Sequence, residues 1–463
     1  MKNIGGQLLL DLKLLKMKKT EPIKPEIIKN SRRTFCKTTA LFTAGMMIPA
    51  MEMNAMYNVF NDKKLKLAVV GCGGRGTGAV NQALKADENV QLVAMADAFE
   101  DRLLSSLDQL ENEFAGSNKV RVKEKNRFTG FDAYKKAIDL ADVVILTTPP
   151  GFRPYHFEYA INAGKHVFME KPVATDVPGI RKVLDSAKIA KEKKLNVVVG
   201  LQRRYQNNYI NIAEKIQKGE VGKILSGQVY WNSSGVWVNP RQPNQTEMEY
   251  QMRNWYYFNW LCGDHILEQH IHNIDVANWF IGEYPVSAQG MGGRQVRTGP
   301  EHGEIFDHHF VEFKYPGGAV ISSQCRHQPG TMSKVGEGFQ ATKGIVETND
   351  AGVAKLVDLE GNDIFKYRGR NDPNPYQEEH NQLFKSIRNG EVISDAENGA
   401  KSTMTAIMGR MATYSGQVIS CDEALQSNLE LVPENLSWDS TPPVMPNSDG
   451  HYPIPTPGKT KVM

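Results

Sequence analysis

Leu67-Ala68-Val69-Val70-Gly71-Cys72-Gly73-Gly74-Arg75-Gly76 is the stretch on which the reading of this chain turns. A short apolar, β-rich run enters a glycine turn, and residues 77–84 continue it with helix formers. Strand, glycine turn and helix, in that order, make a nucleotide pyrophosphate site; glycines outside that context mean little. Gly71 allows the tight turn, Gly73 lets the backbone approach the pyrophosphate and Gly76 lets helix and strand pack closely, with phosphate charge held at the helix N-terminus. Gly74 and Arg75 complete the segment. The next apolar run, 90–96, ends at Asp97, about where an acidic partner of the ribose 2′-hydroxyl belongs, which favours NAD over NADP. Arg75 and Arg102 are the residues that would instead receive a 2′-phosphate.

Working outward, the runs 143–147, 166–169 and 197–200 are short and almost continuously apolar, as in parallel strands covered on both faces. Helical patterns at 131–140, 155–163 and 177–193 separate them. The expectation is α/β, with an N-terminal doubly wound parallel Rossmann sheet over 56–201. Beyond Tyr205 the texture changes to apolar–polar alternation at 224–231, 304–315, 318–325 and 344–347, with Pro-Gly-Gly and Glu-Gly-Asn turns. That pattern predicts a C-terminal α+β domain over 202–435 with a large, open, mostly antiparallel sheet. One long helix is expected over 264–280, two more over 376–389 and 399–415, and a proline-rich tail wraps the surface over 436–463.

Upstream lies Ser31-Arg32-Arg33-Thr34-Phe35-Cys36-Lys37, followed by a weakly apolar run at 38–50. This is the pattern of a twin-arginine export signal, expected over 1–55 with cleavage between Ala50 and Met56. The run is too short and too polar to span a bilayer. Twin-arginine export carries folded proteins, so a periplasmic protein with a tightly held cofactor is expected. Residues 1–55 contain ten Lys/Arg against four Asp/Glu. The rest of the chain is therefore slightly acidic, and nucleic-acid binding has no electrostatic support. The five cysteines are scattered, with neither zinc spacing nor a disulfide framework.

In combination, Gly71 to Gly76, Thr147-Thr148-Pro149-Pro150 followed by His156, Ala163-Gly164-Lys165-His166-Val167 leading into Glu170-Lys171-Pro172, and His272-Asn273-Ile274-Asp275 resemble the Gfo/Idh/MocA oxidoreductases. The resemblance covers essentially everything beyond the leader. In Glu268-Gln269-His270-Ile271-His272, Asp275-Val276-Ala277-Asn278-Trp279 and Gly409 to Tyr414 the chain is similar to exported Bacteroidetes members that oxidise glycosides at the C3 hydroxyl. The resemblance implies a nucleotide held by Thr147, Thr148, Pro150, His156, Glu170 and Gln202 besides the glycine turn and Asp97. It implies Lys171 beside the nicotinamide, His272 as general acid/base and Glu268 one helical turn before it, on the same face of the predicted helix. It also implies a homo-oligomer formed through the open sheet.

The substrate side reads as carbohydrate. Arg203, Tyr205, Trp231, Arg253, Trp255, Asp275 and His309 combine aromatic faces for a C–H-rich ring face with polar groups for its hydroxyls. Asp264, His265, Glu268, His270, His272 and Asp275 crowd together, but only members three or four apart converge on a helix, and no required metal is expected. The leading expectation is an NAD-dependent dehydrogenase giving a 3-keto glycoside, served by a redox partner and a separate lyase or hydrolase. One competitor is a hydrolase that oxidises, eliminates, hydrates and reduces within one site; the other is a cofactor-bearing protein without chemistry, against which Lys171 and His272 both speak.

Overall fold

The computed structural model describes residues 63–433 and 435–463; the expected export signal lies outside them. Strands β1 (Leu65–Val70), β2 (Val90–Asp97), β3 (Arg127–Thr129), β4 (Val143–Leu146), β5 (His166–Met169) and β6 (Val197–Val199) form a wholly parallel sheet in the order β3-β2-β1-β4-β5-β6. Their side chains are buried on both faces, which is why the runs are continuously apolar. The coverings are α1 (Gly74–Ala86), α2 (Glu100–Glu113), α3 (Ala133–Asp139), α4 (Arg153–Asn162) and α5 (Val177–Glu192). Strand order reverses between β1 and β4, and the crevice outside the carboxyl ends at that point is where an open α/β sheet takes its ligand.

After α6 (Asn207–Gln217) comes a nine-stranded sheet in the order β14-β13-β12-β11-β7-β10-β9-β8-β15. Its strands are β7 (Ile224–Ser233), β8 (Ser287–Gly293), β9 (His308–Lys314), β10 (Val320–His327), β11 (Lys334–Ala341), β12 (Gly344–Asn349), β13 (Val353–Asp358), β14 (Asp363–Arg368) and β15 (Ile419–Ser420). β7 and β10 run parallel and the other ladders are antiparallel. Alternate residues of β9 and β10 are buried, so one face of the sheet is core. The helices on the way to it are α7 (Glu247–Arg253), α8 (Asn259–Cys262), α9 (His265–Glu268) and α10 (Ile271–Ile281), and α11 (Pro375–Asn389) and α12 (Ala396–Ser415) follow it.

Two expectations need correction. The helix read over 264–280 is broken into α9 and α10 at Gln269 and His270. Asp264 stands outside it with φ of 74°, its carboxylate capping the His265 amide at 2.5 Å. Strand β10 stabilises the break: His327 Nε2 lies 2.8 Å from Gln269 Oε1, and Ser323 Oγ lies 2.7 Å from His270 Nε2. Glu268 and His272 therefore do not share a face of one helix. The linear division at 201/202 is crossed as well. Leu383 and Phe384 of α11 join the core of the parallel sheet, Arg388 pairs with Asp87 at 2.7 Å, and Ser394 bridges to Val197 beside β6.

A buried ion pair ties the turn after β6 to the second sheet. Arg203 Nη1 lies 2.6 Å from Glu337 Oε1, and Tyr209, Asn273 and Thr348 donate to the same carboxylate. Removing one partner of such a pair leaves a buried charge uncompensated, at about 3–5 kcal/mol. Arg203→Met is expected to lose about that much stability in denaturant unfolding; a loss under about 1 kcal/mol would mean that Glu337 takes up a proton and relaxes.

Candidate functional site

The glycine turn is built by close approach. A Cβ on Gly71, at φ of 97°, would lie 2.6 Å from the Thr147 backbone, and one on Gly76 would lie 1.9 Å from the Gly71 carbonyl oxygen. Above Gly73 and Gly74 the space is open, and no side chain caps the N-terminus of α1. Free amide donors and the positive end of the helix dipole face that space, the arrangement that receives a phosphate. At the end of β2, Asp97 accepts from the Cys72 amide (2.6 Å) and the Phe99 amide (2.9 Å), bracing the turn while keeping lone pairs for a ribose. Burial raises its pKa. Among the described residues the buried Gln202 Oε1 has no hydrogen-bond partner. These residues fit a dinucleotide.

Behind the turn, side chains expected to touch the nucleotide hold its loops instead. Thr147 Oγ1 donates to Gly71 O at 2.6 Å. His156 packs on Tyr134 with ring centroids 4.1 Å apart, on Phe152 at 6.0 Å, and sits 3.2 Å from Thr148 Oγ1. Burial lowers its pKa to about 3, so it is a neutral brace. Pro150 is buried at the start of a short 3₁₀ turn. Arg75 reaches away from Asp97 to Glu170 Oε1 at 2.5 Å and lies over the Tyr376 ring at 4.9 Å. It is therefore committed to the β5 side rather than to a 2′-phosphate. Sequence reasoning missed Arg153, fully buried, which donates to Thr148 O, Glu170 O and Pro172 O and so locks the β4 and β5 loops together.

That brace presents Lys171. Its Nζ donates to Glu268 O and, at 3.2 Å, to Glu268 Oε1 at the end of α9. Burial raises the Glu268 pKa, with the Lys171 charge opposing. His272, in the first turn of α10, stacks on Trp231 with centroids 5.9 Å apart, and its Nδ1 has no hydrogen-bond partner among the described residues. Burial and then the charges of Lys171, Arg203 and Arg75 depress its pKa well below the imidazole range. The break between α9 and α10 leaves the imidazole within the electrostatic reach of the Lys171 ammonium that Glu268 holds. Tyr256 adds a buried hydroxyl without a partner, in the field of Glu268.

The substrate residues read from sequence divide. Trp231 stands against His272, and Trp255 packs on Trp237 at 5.7 Å. Arg203 is committed to Glu337, Asp275 to a bidentate pair with Arg204 (2.8 and 2.8 Å), and Tyr205 to Asp395 at 2.6 Å. Arg253 pairs with Asp101 at 3.1 Å. His309 is buried, with Nδ1 on Thr413 (2.9 Å) and Nε2 3.3 Å from Asp264 Oδ2. Charges removed from water must be paired, which accounts for the Arg203–Glu337 and Arg204–Asp275 contacts. Asp264, His265 and His309 converge within 4.8 Å, a group the helical-spacing argument missed because Asp264 is non-helical and His309 comes from β9. The Asp264 oxygens already accept from the His265 and Phe306 amides, the Tyr414 hydroxyl and the His265 ring. This makes it a hydrogen-bond hub behind α9.

Known proteins place this architecture. A profile of an oxidoreductase family with an NAD-binding Rossmann fold matches residues 65–201, and that of the GFO/IDH/MocA C-terminal domain matches 209–331. Inositol 2-dehydrogenase of Rhizobium meliloti is 26% identical over 206 residues, 44% of this chain and 52% of that protein. The 2,7-anhydro-N-acetylneuraminate hydratase of Escherichia coli is 28% identical over 210 residues, 45% and 51% respectively. The chain thus spans about half the length of these two curated relatives. A levoglucosan dehydrogenase solved with NADH and L-sorbose superposes with a TM-score of 0.61 at 15% identity, over 78% of this chain and 99% of that one, a likeness of fold.

The electrostatics of His272 can be checked directly. In a histidine-labelled NMR titration its ring should still be neutral where an ordinary imidazole has already taken up its proton. A midpoint near 6.5 would mean that the ring is solvated and the three cations do not act on it.

Proposed function

The chain belongs to the Gfo/Idh/MocA oxidoreductases, and on that premise we propose that it removes a hydride from a secondary hydroxyl carbon of a sugar or glycoside, at C3 of the ring, to form a ketone. The observation that carries the reading is the pairing of Lys171, held by Glu268, with a neutral His272 whose Nδ1 is unengaged. The uncapped α1 terminus, Asp97 and Gln202 would hold NAD, which would supply the hydride acceptor. The protein residues handle the proton and the charge. The His272 imidazole takes the hydroxyl proton, for which a depressed pKa keeps it unprotonated. The Lys171 ammonium stabilises the alkoxide that develops as the carbon–hydrogen bond breaks. Glu268 fixes that ammonium, and Trp231, stacked on His272, offers its face to the C–H side of the ring. Relatives named for inositol and levoglucosan oxidation support a cyclic polyol.

The twin-arginine pattern at 31–37 supports export of the folded protein to the periplasm with its nucleotide on board. There, a redox partner or a keto-sugar would return the cofactor to its oxidised form. The second reading, hydrolysis by oxidation, elimination and reduction, needs a further proton donor at the glycosidic oxygen. The partnerless Tyr256 hydroxyl beside Glu268 is a group of that kind.

The test uses protein purified without added nucleotide, analysed for bound NAD(H) and then mixed with a panel of β-glucosides. Dehydrogenation predicts a single-turnover rise near 340 nm without cleavage, with further turnovers only when a keto-sugar acceptor is added. Steady cleavage without acceptor would sink that reading in favour of the hydrolase. Lys171→Met is expected to slow the single-turnover rise by about 10²–10³-fold, the cost of losing one preorganised donor to an oxyanion. An unchanged rate would remove the lysine from the mechanism.

A further inference from the structure

The parallel sheet divides a bound dinucleotide by geometry. Its pyrophosphate lies at the β1–α1 turn, its adenosine half lies toward Asp97 and the carboxyl ends of β2 and β3, and its nicotinamide half lies toward Lys171. On the adenosine side the two loops leaving the sheet each carry an aromatic ring two residues beyond the strand: Phe99 after β2 and Phe131 after β3. Neither is left open. Trp438 of the C-terminal tail stands between them, its ring 5.0 Å from Phe99 and 4.8 Å from Phe131. From the other flank Arg253 lays its guanidinium 4.0 Å over the Phe99 ring while gripping Asp101 with two bonds of 3.1 Å.

The tail that brings Trp438 here is fastened on both sides of it. Before it, Arg181 donates to Ser427 O at 2.8 Å, and the Leu431 amide donates to Asp176 at 2.8 Å. After it, the Tyr452 hydroxyl donates to Glu247 at 2.5 Å, and the Gly458 amide donates to Ser415 O at 2.7 Å. A segment anchored at both ends thus crosses the edge through which an adenosine would leave.

We propose that the C-terminal tail forms the adenosine subsite's cover, with Trp438 as the closing ring and Arg253 as its opposite wall, so that the nucleotide is retained between turnovers. An adenine seated against this cluster is shielded from water by the Trp438 ring, and its release requires the tail to lift. The inference rests on the NAD reading above, and its test separates the two. Wild-type protein is loaded with NADH, passed through a desalting column, and its release rate measured by loss of NADH fluorescence against excess NAD. Trp438→Ala is expected to release NADH about 5- to 150-fold faster, the effect of losing one base–aromatic stack, while Trp438→Phe stays close to wild type. Thermal unfolding of the nucleotide-free proteins checks that the fold is retained, and Arg253→Ala, which alters the other wall, should also speed release. Equal release from wild type, Trp438→Ala and Arg253→Ala would overturn the cover. Wild-type protein that binds no NADH at all would overturn the cofactor reading beneath it.

Discussion

A single buried guanidinium organises the loops on which the site depends. Arg153 bonds to the carbonyls of Thr148, Glu170 and Pro172, joining the loop after β4 to the loop after β5. Those carbonyls lie in turns, where backbone acceptors have no ladder to satisfy them, and a buried acceptor without a donor is costly. Burial lowers the Arg153 pKa to about 10, which still leaves it cationic at neutral pH. Lys171 lies between two of the three residues whose carbonyls it holds, so the lysine is presented by a charge that never meets substrate.

The same logic of paired and unpaired charge separates scaffold from chemistry. Arg203, Arg204 and Asp275 are each ion-paired at 2.6 to 2.8 Å, contacts that join segments distant in the chain. His272 is buried beside the cations and has no partner at Nδ1. A buried imidazole in a positive field stays neutral because protonation would add a further charge where desolvation already opposes one. Among the described residues, His272 Nδ1, Tyr256 Oη and Gln202 Oε1 belong to the buried polar atoms that the protein itself leaves without a partner.

Legibility was uneven for physical reasons. The first domain could be read because parallel strands buried on both faces are continuous apolar runs, and because the Gly71 and Gly76 positions leave no room for a side chain. Strand β8, Ser-Ala-Gln-Gly-Met-Gly-Gly, has no apolar alternation and was not anticipated; backbone pairing with β9 defines it. The break at Gln269 was equally hidden, since its local sequence favours a helix and the competing bonds come from β10, more than fifty residues away.

By itself, the sequence determined the glycine turn, the parallel α/β sheet that follows from it, the alternating strands of a second sheet, and the residue types able to move a proton and steady an alkoxide. Only the tertiary structure decided which of those residues are at liberty to act. Arg203, Asp275, Tyr205, Arg253 and His309 have the chemistry of sugar-binding groups, but folding sets each beside a protein partner that takes at least one of its hydrogen bonds. Composition and spacing specify donors and acceptors one residue at a time, whereas satisfaction is a property of pairs, and the partners that settle it lie 71 to 190 residues apart in the chain.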